Sequence, residues 1–426
     1  MSSLFFPSTS SSSSERLDIR KIDFSSSTAC NDIQSLLAYN IKDAKQCEEI
    51  LQAITVLSSS LSNRLKFVVT SDTLVLLLKA INIHASNRPV LEWGLKSISA
   101  LSIEAKAALI IVKNDGCRIL TSTLQNGMKD DLVIEEISRI VYNISEENDD
   151  SKVIFSELGL TRILTVDVFI ASAATLKLST TEGVLRALGS LARRSLANKQ
   201  IIASYGLCEV LVQTISNLPS PPDSLVEAAC WAVGNLAYPC ADNQTLLAQH
   251  MACEYILAVL EDHRDSSELL QEAFRAIRNL CNGHEENLER LGQLGACELI
   301  LTAITFSMHK GIQSGAVKET LSQQALSSPS PLLSASSLTG MIAQGSQFLQ
   351  RVTSGTGGDP SSQPSESIAR AHAVKGAVQW GWYALASLTE LDSNLVLFRS
   401  LGIVQAVALS LQRCVLDIIN YLSKQS

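Results

Sequence analysis

Residues Glu227–Ala237 read EAACWAVGNLA, and their spacing predicts a helix with two unlike faces. Val226, Ala229, Cys230, Val233, Leu236 and Ala237 recur at the i, i+3, i+4, i+7 spacing of one apolar stripe. At about 100° per residue, Trp231 and Asn235 fall on the opposite side. They are one helical turn apart and neighbour each other on the helix surface. An indole beside an amide, on a face the local core does not need, reads as a contact surface.

Copies of this helix recur along the chain. EAFRAIRNLC turns Ala273, Phe274, Ile277, Leu280 and Cys281 inward and puts Arg275 and Asn279 in the places of Trp231 and Asn235. GVLRALGSLA turns Val184, Leu185, Leu188, Leu191 and Ala192 inward, with Arg186 and Ser190 outward. EEISRIVYNIS places Arg139 and Asn143 outward, LKSISALS places Lys96 and Ala100 there, and QWGWYALASLT places Tyr383 and Ser387 there with Trp382 inward. The outer position 100, 143, 190, 235, 279 advances by 43, 47, 45 and 44, the period of helical solenoid repeats.

A second signature accompanies the first. Asn63, Asn198, Asn243, Asn287 and Asn394 each follow a long helix and open a short apolar one, and asparagine is a strong N-cap residue. A glycine then follows, Gly116, Gly159, Gly206, Gly295 or Gly402, suited to a left-handed turn between helices. The unit is a short helix, a glycine turn, a middle helix and a long helix.

This three-part series, with E-x-A-x-W-A-x-x-N-L in its long helix, resembles the armadillo repeat of importin-α, β-catenin and the vacuolar armadillo proteins. The resemblance covers about residues 31–310 and 368–426 and implies an all-α, right-handed superhelical solenoid whose long helices line a concave groove. Residue by residue, Trp231 and Asn235 match the Trp-x3-Asn pair with which importin-α grips a basic nuclear-localisation peptide. Lys96, Arg139, Arg186 and Arg275 stand in the Trp column of the other repeats, where cations repel such a peptide. Residues 1–30 carry only Arg16, Arg20 and Lys21 as basic groups, which is not the pattern of an importin-β-binding segment.

The expected binding surface is therefore Lys96, Arg139, Asn143, Arg186, Ser190, Trp231, Asn235, Arg275, Asn279 and Tyr383. Arginine matches carboxylate and phosphate geometry, and Arg, Trp and Tyr dominate interface hot spots. The expected partner is an extended acidic or phosphorylated protein segment. The alternative for the cations is that they are ordinary solvated helix residues. Alternative functions are a nuclear transport adaptor, or a regulator of a small GTPase or a chaperone ATPase.

Composition agrees with a binding scaffold. Apolar residues make up 46% of the 426 and aromatics 5%, a balance suited to stacked Leu/Ala/Ile helices. The net charge of −8 argues against a general nucleic-acid binder. The ten cysteines form no CxxC pair. Cys208, Cys253 and Cys297 share one repeat column and read as buried hydrophobes in a reducing compartment. None of the six histidines falls in a metal-ligand spacing, and no phosphate-loop, dinucleotide or nucleophile-elbow motif occurs. No enzyme activity, cofactor or metal site is expected.

Two stretches interrupt the pattern. Residues 1–30 form a Ser-rich tail, and the repeat column breaks between Asn279 and Ser387, where 311–367 hold Ser, Gly, Gln and Pro with few charges. Both are expected to be disordered, the second as an insertion within one repeat. Leu4-Phe5-Phe6 is followed at once by Pro7, too short for a signal-peptide core. No run approaches 18 apolar residues, so no membrane span is expected. The expected compartment is the cytoplasm, with the nucleus as a second one.

Overall fold

A computed structural model describes residues 28–69, 72–171, 175–313, 366–391 and 394, with Ile19 and Ile22. Every regular element among the described residues is helical. The chain divides into two compact units, Met1–Gly127 and Met128–Ser426. The first holds α1 (Ala29–Asn40), α2 (Ala44–Leu57), α3 (Leu61–Val69), α4 (Asp72–Ile83), α5 (Arg88–Leu101), α6 (Ala105–Lys113) and α7 (Gly116–Asn126). The second begins with α8 (Asp131–Glu147), α9 (Asp149–Glu157) and α10 (Leu160–Arg162, running on as a π-helix over Ile163–Ile170). It continues with α11 (Leu178–Ala192), α12 (Leu196–Ser204), α13 (Leu207–Ser216), α14 (Asp223–Ala237), α15 (Ala241–Gln249) and α16 (Ala252–Asp262). The last elements are α17 (Ser267–Cys281), α18 (Glu285–Gln293), α19 (Ala296–Gln313) and α20 (Glu366–Leu388).

Side chains fix where the helices begin. Asp43 accepts from the Lys45 and Gln46 amides at 3.0 and 3.2 Å, Asn87 from Val90 at 3.1 Å, and Asn148 from Ser151 at 2.9 Å. Gly159, Gly206 and Gly295 hold the expected left-handed turns, at φ +79°, +89° and +78°. Gly116 does not: it is the first residue of α7, and Asp115 takes the left-handed turn at φ +60°, as Met251 does before α16 at +68°. Gly402 lies outside the described residues.

In the first unit α2 lies beside α5, and α4 packs on α5. In the second, the long helices form one layer in the order α8, α11, α14, α17, α20, with the middle and short helices behind them. The inward stripes are core as expected, with Leu185, Leu188, Phe274, Ile277 and Leu385 buried. Helix α20 packs on α17 and α19, so the repeat interrupted after Gln313 resumes as the next layer. The boundaries expected near His309 and Ile368 fall at Gln313 and Glu366. The expected disordered stretches lie almost wholly outside the described residues.

The asparagines play a different part from the expected one. Ser195 and His284 are the N-caps that accept from Asn198 and Asn287, and the asparagines sit one turn inside their helices. Their amides instead bracket two carbonyls each. Asn198 Nδ2 donates to Leu191 O at 3.0 Å and Lys152 O at 3.2 Å. Asn243 donates to Leu236 O and Lys199 O, and Asn287 to Leu280 O and Gln244 O. Asn394 repeats the pattern on Leu388 O and Leu288 O. One carbonyl belongs to the last turn of the preceding long helix and the other to the short helix one repeat back. The amide therefore satisfies the orphan carbonyl at the end of the long helix and ties two repeats together.

The next position works in the other direction, after Ser151 in α9 and after the asparagine in α12 and α15. Lys152 Nζ donates to Arg193 O at 2.9 Å, Lys199 Nζ to Asn235 O, and Gln244 Nε2 to Asn279 O at 2.9 Å and Asn282 O at 3.0 Å. Each reaches the C-terminal end of the next long helix, where the dipole favours a cation. Lys152 and Lys199 are each only 1% exposed. Burial pushes the Lys199 ammonium from 10.5 down to about 8, with Cys240 opposing and Lys152 adding to the shift.

Two expectations follow. Asn243→Ala leaves the buried Leu236 carbonyl without a donor and should cost about 1–3 kcal/mol in urea unfolding. Exposed Asn217→Ala should change stability by no more than about 0.5 kcal/mol. The second concerns pH. Below about 8 Lys199 is protonated in both states, whereas between about 8 and 10.5 the unfolded chain holds the extra proton. The stability of the wild type relative to Lys199→Met should then rise with pH across that window, by about 3 kcal/mol at most. Paired unfolding curves at pH 7.5 and 10 measure it.

Candidate functional site

Helix α14 is buried all round: every residue from Ala228 to Ala237 is inaccessible. The reason is close approach on both flanks. A Cβ on Gly189 would lie 3.2 Å from Ala232 Cα, and one on Gly234 would lie 3.2 Å from Ala276 Cα. A helix squeezed between two neighbours keeps no free face. Trp231 and Asn235, expected on an exposed surface, are therefore only 9% and 6% exposed.

The indole of Trp231 lies over Gly189 of α11, where an added Cβ would stand 2.5 Å from its Cδ1 and 2.7 Å from its Nε1. The Arg275 guanidinium of α17 sits 4.1 Å from the ring centroid, and Arg193, just past the end of α11, sits 5.6 Å away. Tyr142 of α8 meets the ring edge-on at 6.2 Å. Glu146 accepts from Ser190 Oγ at 2.8 Å and pairs with Arg193. Burial, then the Glu146 carboxylate, raises the Tyr142 phenol above its ordinary value.

The cation column carries its own carboxylates. Arg139 pairs with Glu135 at 2.9 Å and Glu136 at 3.3 Å. Arg186 pairs with Glu182 at 3.0 Å and, across to α14, with Glu227 at 3.3 Å. Burial works against the Arg186 charge, but Glu227 and Glu182 together hold it above its ordinary value. Arg275 pairs with Glu272 at 2.6 Å. Burial lowers the Arg275 guanidinium and raises the Glu272 carboxyl, each opposed by its partner. Lys96 lies in the first unit, paired with Glu92 at 2.7 Å and 4.7 Å above the Trp93 ring. The other expected residues lie in the second unit.

Three buried donors around the Trp231 ring have no acceptor among the described residues: Trp231 Nε1, Asn235 Nδ2 and Arg275 Nε. Asn279, expected to be free like Asn235, donates to Gly234 O at 2.9 Å. Asn143 is half-buried in α8. Tyr383 meets Trp380 edge-on at 5.5 Å and accepts from Gln379 Nε2 at 3.2 Å. Tyr142, Gly189, Arg193, Arg278 and Trp380 belong to this face and were not anticipated. The glutamates were visible as i−4 or i−3 partners of each cation.

The nine described cysteines are free and buried, and burial pushes the thiols of Cys208, Cys253 and Cys297 up to about 12. Among the described residues no group of His, Cys, Asp and Glu could hold a metal ion, and no helix is long and apolar enough to cross a membrane.

The armadillo/beta-catenin-like repeat profile matches residues 195–238, spanning α12 to α14 and including Trp231 and Asn235. Residues 195–238 thus carry an armadillo repeat. Among solved structures, the engineered proteins designated targets OR329 and OR366 of the Northeast Structural Genomics Consortium align with TM-scores of 0.52 and 0.51. Both are 20% identical; they cover 60% and 59% of this chain and 98% of their own. The designed armadillo repeat protein YIII(Dq)4CqI aligns over 58% of this chain and 98% of its own at 15% identity and TM-score 0.49. No curated protein matches the sequence. The armadillo fold is thus shown, while the importin-α or β-catenin type is not.

The seat of Trp231 has a direct test. Alanine usually stabilises a helix interior over glycine by about 0.5–1 kcal/mol. Gly189→Ala should instead destabilise the protein by about 1–3 kcal/mol through overpacking, and should red-shift tryptophan emission as the indole is displaced. A stabilised variant with unchanged emission would show that the indole does not rest on Gly189.

Proposed function

We propose that the protein is a non-enzymatic scaffold that holds an extended segment of a partner protein against its long helices, centred on Trp231. The single observation that carries this is the set of acceptor-less donors, Trp231 Nε1, Asn235 Nδ2 and Arg275 Nε, gathered around one ring. Buried donors are satisfied in the great majority of proteins. A lone one such as Trp382 Nε1 is a packing defect, but three together ask for a ligand rich in acceptors. Carboxylate and phosphoryl oxygens are the strongest acceptors a protein segment offers, which favours an acidic or phosphorylated segment. A basic peptide is disfavoured because Arg275 and Arg193 already occupy the cation–π positions on Trp231. The residues Arg139, Arg186, Ser190 and Asn279 then position the surface of the second unit through their internal pairs more than they bind. The free, buried thiols suit a reducing compartment, and the proposed location is the cytoplasm, with the nucleus second.

The test is calorimetric titration of the full chain with extended acidic, phosphorylated, neutral and basic peptides. Acidic or phosphorylated peptides should bind best. Trp231→Phe, which keeps a ring and removes the N–H, and Asn235→Ala should each weaken that binding by about 1 kcal/mol, the net value of a hydrogen bond. Preferential binding of basic peptides through Trp231 and Asn235 would overturn the reading in favour of a transport adaptor.

A further inference from the structure

The carboxylates that neutralise the cation column do not continue to the end of the second unit. One repeat column reads Glu135, Glu182 and Glu227 in α8, α11 and α14, and then Gln271 and Gln379 in α17 and α20. Arg139, Arg186, Arg193 and Arg275 all have a carboxylate partner. Arg278 has none among the described residues. It is half-buried on α17, one turn beyond Arg275, and it faces the opposite neighbour. Its guanidinium lies 5.9 Å from the Trp380 ring and 5.8 Å from the Tyr383 ring of α20. The rings meet edge-on at 5.5 Å, and Gln379 Nε2 fixes the Tyr383 hydroxyl at 3.2 Å.

Two aromatic rings hold a guanidinium in place by cation–π attraction but satisfy none of its five N–H donors. Such a group is preorganised for an oxyanion, because less rotamer entropy is lost when the anion arrives. We infer that Arg278, Trp380 and Tyr383 form a second station on the long-helix layer, and that it takes one anionic side chain, carboxylate or phosphoryl, of the bound protein segment. The identity of the ligand as a segment rests on the function proposed above; the anion site itself does not. Helix α17 thus serves two stations, Arg275 toward Trp231 and Arg278 toward Trp380 and Tyr383. Neighbouring helix axes are about 10 Å apart, and an extended segment advances about 3.3 Å per residue. The anionic residue should therefore lie about three to six residues from the one seated at Trp231.

The first measurement needs no peptide. Inorganic phosphate titrated into the full chain, labelled with 15N-arginine, should shift the Arg278 Nε–H resonance saturably and leave that of Arg139 nearly unmoved. The resonance is assigned by its loss in Arg278→Gln, a variant that keeps the fold because Arg278 holds no structural ion pair. Absence of a saturable shift would overturn the anion site even if peptides bind. The second measurement scans one phosphoserine, or one glutamate, along an otherwise neutral extended peptide of about 12 residues. One register should bind about tenfold more tightly than the serine parent. Arg278→Gln should abolish that preference while leaving the affinity of the serine peptide unchanged. The glutamate and phosphoserine arms show which oxyanion is preferred. A preference surviving in Arg278→Gln would refute the station. Loss of all peptide binding with the phosphate shift intact would sink the segment reading and leave the anion site standing.

Discussion

A buried asparagine amide in each of four layers, Asn198, Asn243, Asn287 and Asn394, ties the second unit together. Its two hydrogens go to the end of its own long helix and to the short helix one repeat back, as with Asn243 on Leu236 O and Lys199 O. No aliphatic side chain can replace it, because the carbonyl at the end of the long helix would be stranded in a place water does not reach. Lys152, Lys199 and Gln244 close the reverse link to the next long helix. Stability in such an array is a sum of neighbour terms, and these brackets are its polar part. They also set register. Asn394 finds Leu288 O across 106 residues of chain, so a long insertion between α19 and α20 leaves the next layer in place. The entropic cost of a longer connection grows only slowly with its length.

Tight stacking has a consequence for binding. Gly189 against Ala232 and Gly234 against Ala276 draw α11, α14 and α17 together until little of α14 reaches solvent. Side chains that would otherwise stand free on a helix surface become partners of the neighbouring helix. Arg186 crosses to Glu227, and Arg275 folds back over Trp231. The face is thus prearranged, its rotamers fixed before any ligand arrives, which lowers the entropy lost on association.

The repeat, its period, the inward stripes and the layered helical fold were legible in the sequence because they rest on local spacing. Leu188, Phe274 and Trp382 are buried where the spacing put them. The asparagine was read in the right place with the wrong partner. An amide near a helix start suggests a cap, and only the stacking of repeats shows that Ser195 caps while Asn198 brackets. Trp231 was read as exposed for a related reason. A helical wheel sees one helix, while the faces of α14 are decided by the helices on either side. The cation column was legible too, but its pairing was not read, although Glu135, Glu182 and Glu272 stood one turn upstream of their partners. Arg278 escaped notice because it lies outside the column the repeat defines; its two aromatic neighbours come from a helix about 100 residues away.

Charge pairing and shape divide the labour on this face. An arginine with a glutamate at 3 Å contributes little net field beyond a Debye length of about 8 Å, so α8 to α14 cannot steer a ligand by charge alone. What they present is geometry: a ring clamped between guanidinium groups and donors lacking acceptors. Steering requires unpaired charge, and where the glutamate column gives way to Gln271 and Gln379 the face holds Arg278. On the function and the station proposed above, an elongated ligand would be oriented end to end, its anionic residue drawn toward α17 and α20 and its main chain laid over Trp231. Polarity of binding then follows from where the acidic column stops, not from the number of cations along it.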